Sequence, residues 1–243
     1  MGDIKYSSTR APSPEEIQTK VDALGDWITG FTINGVNYGG HYRPIGDERV
    51  VKFINKLATL NTQISAVLEC GCLEGAHTAM LAQALPKASI YACDIRDENL
   101  KKTQLHTELL GISNINIFKD DLDAPKHAFV RSYDAIFCCG ILYHLRWPEI
   151  FLKDAAKHSP ILWLWTVYCA ESEATIKEGS LRGRIYSEDI RHPLSAIRTE
   201  SFFPTLGSLI DLILESGYTH IEIIKKEMTA NGTGPAITLC ASR

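Results

Sequence analysis

The chain has 243 residues, enough for one α/β domain with a sizeable core and some decoration. A formal net charge of -4 argues against a scaffold that holds nucleic acid mainly through phosphate contacts, although it leaves room for a local basic patch. The first residues carry no apolar signal-peptide core, Tyr6 breaks a myristoylation pattern, and the longest apolar run, Ile161 to Ala170, is too short to span a bilayer; a cytoplasmic protein with no membrane association is expected.

Seven cysteines (Cys70, Cys72, Cys93, Cys138, Cys139, Cys169 and Cys240) fall in or beside apolar, strand-like stretches, as reduced thiols used as small hydrophobes do. Cys70, Cys72 and Cys139 would converge at strand ends, but without C-x-x-C pairing no metal is expected there.

In chain order, Ser13-Pro-Glu-Glu16 is a helix start, with Ser as cap and Glu at the capping-box position. Ile17, Val21, Leu24 and Ile28 then mark one helical face, predicting a cap over the sheet, a plain packing helix or a homodimer contact. Phe31 to Pro44 reads as a loop or hairpin, rich in polar groups (Asn34, Asn37, Tyr38, His41, Tyr42, Arg43) able to line a pocket. Asp47 caps a helix whose face is Val50, Phe53, Ile54 and Leu57. Residues 1–61 are thus expected to form an N-terminal helical cap and substrate loop ahead of a domain over 62–243.

Ser65 to Asp94 is a strand, a turn holding Gly71 and Gly75, an amphipathic helix, and a second strand ending in an acid. That is the first βαβ unit of a doubly wound sheet, with Asp94 placed to accept hydrogen bonds from ribose hydroxyls. A nicotinamide dehydrogenase would carry G-x-G-x-x-G, with a helix N-terminus facing pyrophosphate. Here the pattern is Glu69-x-Gly71-x-x-x-Gly75, and an acid opening the loop repels phosphate but attracts ammonium or sulfonium. This resembles motif I of the class I S-adenosylmethionine (SAM)-dependent methyltransferases, and Asp94 is similar to their motif II acid. Leu73 departs from the pattern, standing where many members have glycine.

A helix over Glu98 to Leu110 and a third strand over Asn114 to Phe118 follow, then Lys119-Asp-Asp-Leu122. The resemblance implies an acid here on the adenine amino group; Asp121 with Leu122 matches best, and Asp120 competes. The fourth strand, Tyr133 to Cys139, opens FCCGILYHLRWPEIFL, which resembles motif IV. It is close to the G-[VI]-L-Y-H form of a subgroup that includes the tRNA wobble-uridine carboxymethyltransferases. Cys139 and Gly140 would meet the methionine part of SAM, and Tyr143 and His144 its reactive end. His144 either takes a substrate proton near neutral pH or fixes its own loop by a hydrogen bond.

Pro160 to Tyr168 reads as a fifth strand, and residues 169–200 as a lid-like insertion carrying Glu171, Glu173, Arg182, Arg184, Tyr186, Glu188, His192 and Arg198. Ser201 to Thr205 is read as opening a helix through Leu214 that Gly217 closes, and His220 to Lys226 with Ala236 to Ala241 as a final antiparallel pair. The expected fold is α/β: the Rossmann-like, seven-stranded class I methyltransferase sheet with an N-terminal helical cap and an insertion after strand 5.

The resemblance implies a SAM-dependent methyltransferase, here read as O- or N-methylating a small-molecule acceptor. It puts Glu69, Gly71, Cys72, Gly75, Asp94, Ile95, Asp121, Leu122, Cys139 and Gly140 around SAM. Arg43, a residue type suited to bidentate carboxylate binding, either pairs with the SAM carboxylate or is a surface arginine paired with Glu48 or Asp47. Tyr143 and His144, with His41 or Tyr42, would line the transfer site. Aminocarboxypropyl transfer, SAM cyclisation, a carboxylated SAM held by Arg146 or Arg198, and a non-catalytic SAM-binding scaffold are the alternatives. The lack of a separate strongly basic domain argues against tRNA as partner.

Overall fold

The computed structural model describes residues 11–243 except 43, 45, 61–62, 125–128, 130, 196 and 231–233. Helix α1 (Pro14–Asp22) starts in the expected capping box and buries Ile17 and Val21. It stops short of Leu24 and Ile28, because the chain unwinds in turns from Leu24 to Val21 and Gly25 to Asp22. The Trp27 indole also takes the Val21 carbonyl at 3.0 Å. Strands β1 (Gly30–Ile33) and β2 (Val36–Gly39) form a hairpin. Its turn residues Asn34 and Gly35 have φ of 50° and 81°, the signs a type I′ turn requires. Helix α2 (Glu48–Ala58) is capped by Asp47 and buries Val50, Phe53 and Leu57.

The apolar runs form β3 (Ala66–Cys70), β4 (Ser89–Asp94), β5 (Ile115–Lys119), β6 (Ala135–Cys139) and β7 (Ile161–Val167). They alternate with α3 (Ala76–Ala84), α4 (Asp97–Leu109) and α5 (Pro148–His158). β3, β4, β5, β6 and β7 pair in parallel. β3, β4, β6 and β7 are covered on both faces and run largely apolar, whereas β5 at the edge is half-buried. Neighbouring residues point to opposite faces: Leu68 packs with Ile136, Leu164 and Phe151, and Val67 with Phe137, Trp163 and Phe53.

The insertion departs from the expected irregular lid. It folds β8 (Ile176–Glu178) and β9 (Leu181–Ser187) into a three-stranded antiparallel sheet with β10 (Glu200–Pro204). Ser201 to Pro204 are therefore strand, burying Phe202 and Phe203 on opposite sides, not a helix opening. Helix α6 (Leu206–Ser216) begins only at Thr205, whose hydroxyl accepts the Ser208 amide at 3.2 Å.

The closing pair, β11 (His220–Ala230) and β12 (Gly234–Ser242), completes a seven-stranded sheet of order β11-β12-β7-β6-β3-β4-β5. β12 lies antiparallel between β11 and β7, as expected. No helix among the described residues is long and apolar enough to cross a membrane.

Candidate active site

Strand order reverses at β3, which has β4 on one side and β6 on the other. Open sheets bind ligands outside the carboxyl ends of the strands at such a point. A cleft of about 880 Å³ lies there, within the ~300–1,000 Å³ of small-molecule sites.

Its first half is built from the ends of β3, β4 and β5. Gly71 turns with φ of 75°, and a Cβ there would fall 2.0 Å from Ile141 Cδ1. The Gly71 and Cys72 amides both donate to the Cys93 carbonyl at 2.9 Å. Leu73 itself adopts φ of 49°, so the loop keeps a left-handed turn without the glycine. Its amide donates to Asp94 at 3.0 Å. Asp94 also accepts from the Arg96 amide at 2.9 Å and the Asn99 side chain at 3.1 Å. Burial is the larger influence, and it lifts the Asp94 carboxyl above its ordinary range despite these bonds. Ile95, Asp120, Asp121 and Leu122 continue the wall. Asp121 is gripped by Arg198 of the insertion through two bonds of 2.6 and 3.1 Å.

Two sequence-predicted residues stand behind this wall. Glu69 is buried with one oxygen accepting from Thr78 at 2.5 Å and the other without a hydrogen-bond partner among the described residues. Burial pushes its carboxyl up to about 8, so it is a neutral acid at pH 7 and not the surface carboxylate expected. Gly75 packs on Thr103, 3.0 Å from where its Cβ would be, and does not line the cleft.

At the centre, Cys139 and Gly140 close β6, and one helical turn, Leu142–His144, carries Tyr143 and His144 into the wall. His144 Nδ1 meets Glu188 Oε1 at 2.7 Å, and Ser201 donates to the same oxygen at 2.9 Å. Burial raises the Glu188 carboxyl, but the bonds from His144 and Ser201 outweigh it, so the group stays below the usual glutamate range. Burial pushes the Tyr143 phenol up to about 12, keeping it protonated.

His41 does not join them. Tyr42 pairs with Ile28 and Gly30 in extended backbone and lines the cleft, and alternation turns its neighbour His41 outward, where it is exposed. Arg43 lies outside the described residues.

The second half of the cleft was not legible in the sequence. Cys139, Trp165, Thr238 and Lys225 are register partners across β6, β7, β12 and β11, so one cross-strand row forms its floor. Glu227, two residues along from Lys225, accepts the Trp165 indole at 2.9 Å. Arg49 at the start of α2 lies over the Trp165 ring, 5.1 Å from its centroid, held by Asp47 at 2.6 Å. His77 reaches the same Asp47 carboxylate at 3.1 Å. Among the described residues no group of three or more His, Cys, Asp or Glu is arranged to hold a metal ion.

Two braces hold the walls together. Arg96 donates to the Ile190 and Ser195 carbonyls of the insertion at 3.3 and 3.0 Å. Glu74, in the turn after β3, accepts the Ile28 and Thr29 amides at 2.9 and 2.6 Å and pairs with the buried Lys102 at 2.9 Å.

Residues 68–159 match the methyltransferase domain family. The chain is 23% identical over 239 residues to the tRNA U34 carboxymethyltransferase of Campylobacter curvus, covering 93% of this chain and 71% of that one. To its namesake in Campylobacter jejuni it is 24% identical over 242 residues, covering 94% and 74%. Among solved structures, the N-terminal domain of EvdMO1, crystallised in the presence of SAH and D-fucose, superposes with a TM-score of 0.82 at 25% identity, covering 95% of this chain and 97% of that one. Magnesium protoporphyrin IX methyltransferase (ChlM) from Synechocystis with bound SAH gives 0.55 at 18% identity, covering 81% and 82%.

Sheet order, cleft and these matches define a class I SAM-dependent methyltransferase. Within that class the chain is similar to the tRNA wobble-uridine carboxymethyltransferases, and SAM is its cofactor.

Proposed function

We propose that this methyltransferase O-methylates a small hydroxylated acceptor, with His144 as general base. The observation that carries the reading is the 2.7 Å contact between His144 Nδ1 and the ionised Glu188. With Nδ1–H donated to the carboxylate, the lone pair of the imidazole is on Nε2, in a side chain that lines the cleft.

SAM, when bound, supplies an electrophilic methyl on a sulfonium. Gly71, Cys72, Asp94, Ile95, Asp121, Leu122, Cys139 and Gly140 are the groups we assign to holding it, all of them on the cleft wall. Asp94 and Asp121 put carboxylate oxygens on that wall, the acceptor chemistry that the hydroxyls and amino group of a nucleoside need. His144 accepts the acceptor's hydroxyl proton at Nε2, Glu188 stabilises the resulting imidazolium, and Tyr143, uncharged, narrows the passage.

A small acceptor is favoured by the charges around the cleft. Arg49, Lys52, Lys225 and Arg198 each bind a carboxylate at 2.6 or 2.7 Å. An RNA-binding face needs cations available for phosphates. EvdMO1's N-terminal domain was crystallised with D-fucose present, a hydroxylated small molecule. The second reading is a tRNA acceptor, favoured by the likeness to the Campylobacter tRNA U34 carboxymethyltransferases.

The test follows both by-products of purified enzyme with SAM and either hydroxylated small molecules or bulk tRNA. SAH formed only with small acceptors supports the proposal. Turnover with tRNA alone replaces it, and methylthioadenosine without any acceptor means that SAM is cleaved by other chemistry.

A further inference from the structure

We propose that the acceptor is a neutral polyol of the hexose class, recognised by the lattice of ion pairs in the second half of the cleft. The inference deepens the methyl-transfer reading and rests on it. SAM's assigned groups lie at the ends of β3 to β6, which leaves the floor over β7, β12 and β11 for the acceptor.

That floor is closed by charges from two elements. Lys225 of β11 pairs with Glu48 of α2 at 2.7 Å and with Glu227 at 3.7 Å. Lys52 shares Glu48 at 2.7 Å, and Asp47 holds Arg49 and His77. Burial raises the Asp47 carboxyl, yet the bonds from His77 and Arg49 outweigh it, and it stays ionised.

An incoming carboxylate or ammonium would have to displace one member of a pair and face the like charge it left behind. A vicinal diol does not. Each hydroxyl donates to a carboxylate oxygen and accepts from the neighbouring ammonium or guanidinium, so the pairs gain hydrogen bonds without being broken. The lattice therefore selects for many hydroxyls and no net charge. It also brings a sugar hydroxyl alongside Tyr143 and His144, which border the same floor through Cys139 and Trp165.

Calorimetry on the SAH-loaded protein tests this, with D-fucose, D-glucuronate and D-glucosamine as probes. D-Fucose is expected to bind with millimolar affinity and the two charged hexoses about tenfold more weakly. Lys225→Met and Glu227→Ala are each expected to weaken D-fucose about fivefold while leaving SAH affinity unchanged. Equal or tighter binding of D-glucuronate, or no heat from D-fucose while SAH binds normally, overturns the hexose assignment and leaves methyl transfer standing. Failure of SAH itself to bind removes the cofactor site and the methyl-transfer reading together.

Discussion

Glu188→Gln is the most direct probe of the proposed His144–Glu188 dyad. The side chain is buried, and its Oε1 receives His144 at 2.7 Å and Ser201 at 2.9 Å. Glutamine keeps the shape and an accepting oxygen but removes the charge that steadies the imidazolium. Hydrogen bonds to charged groups contribute about 1.5–3 kcal/mol, and each ~1.4 kcal/mol is a factor of ten in rate. A fall in kcat of about 10- to 100-fold is therefore expected. SAH affinity should hold, because Glu188 does not line the cleft and is not among the groups assigned to the cofactor. Steady-state SAH production against acceptor concentration separates kcat from KM, and calorimetry gives SAH affinity. The wild-type anchor has a pH signature as well. With the Glu188 carboxyl held below its ordinary value of 4.5, its stabilisation is fully present above that value and is lost as pH falls beneath it. The variant should lack that acid limb in thermal melts. An unchanged kcat, or a loss that simply follows lost SAH binding, would refute the dyad.

Three further outcomes are expected. Glu69 is neutral in the fold up to about pH 8 and ionised in the unfolded chain above 4.5, so the wild type loses stability as pH climbs between those values, by about 1.4 kcal/mol per unit. Glu69→Gln should flatten Tm over that window; an unaltered slope would show that another group sets it. Asp94→Ala should keep its far-ultraviolet circular dichroism spectrum yet bind SAH about tenfold or more weakly by calorimetry, and equal affinity would remove Asp94 from the cofactor site. Glu74→Ala takes from the buried Lys102 its carboxylate, leaving it the Asp26 carbonyl, and strips two backbone amides of their acceptor; denaturant titration should show a loss of about 3 kcal/mol, against under 1 kcal/mol if the pair were merely superficial.

The parts of the molecule that could be read in advance share a physical cause. Strands β3, β4, β6 and β7 are buried on both faces, so they stand out as apolar runs, and glycines punctuate the turns between them. The half of the cleft that we assign to the cofactor comes from loops local to those strands, which is why Gly71, Cys72, Asp94, Asp121 and Gly140 could be placed on a cleft wall. β8 is only three residues long and β9 is half-buried along most of its length, and both pair outside the main sheet, leaving little periodicity to find. Phe202 to Thr205 misled because Pro-Thr is also a helix-start signal, and the hydroxyl that caps sits at Thr205. Parity decided His41 against Tyr42, and parity depends on pairing with Ile28 and Gly30. Arg49, Lys225 and Glu227 meet only through strand register and the docking of α2. Neither leaves a local mark in the chain.

The seven buried cysteines give this protein an unfolding clock that needs no engineered label. Burial pushes the thiols of Cys70, Cys72 and Cys139 well above their ordinary range, and alkylating reagents attack the thiolate, so the native chain should react slowly. Cys72 and Cys139 border the cleft, whereas Cys70, Cys93, Cys138 and Cys240 lie within the sheet and do not line it. Timed alkylation read by peptide mass spectrometry would therefore time opening of the ligand cleft on two residues and rupture of the sheet on four others. Protection of only the first pair by an added compound would reveal where that compound sits.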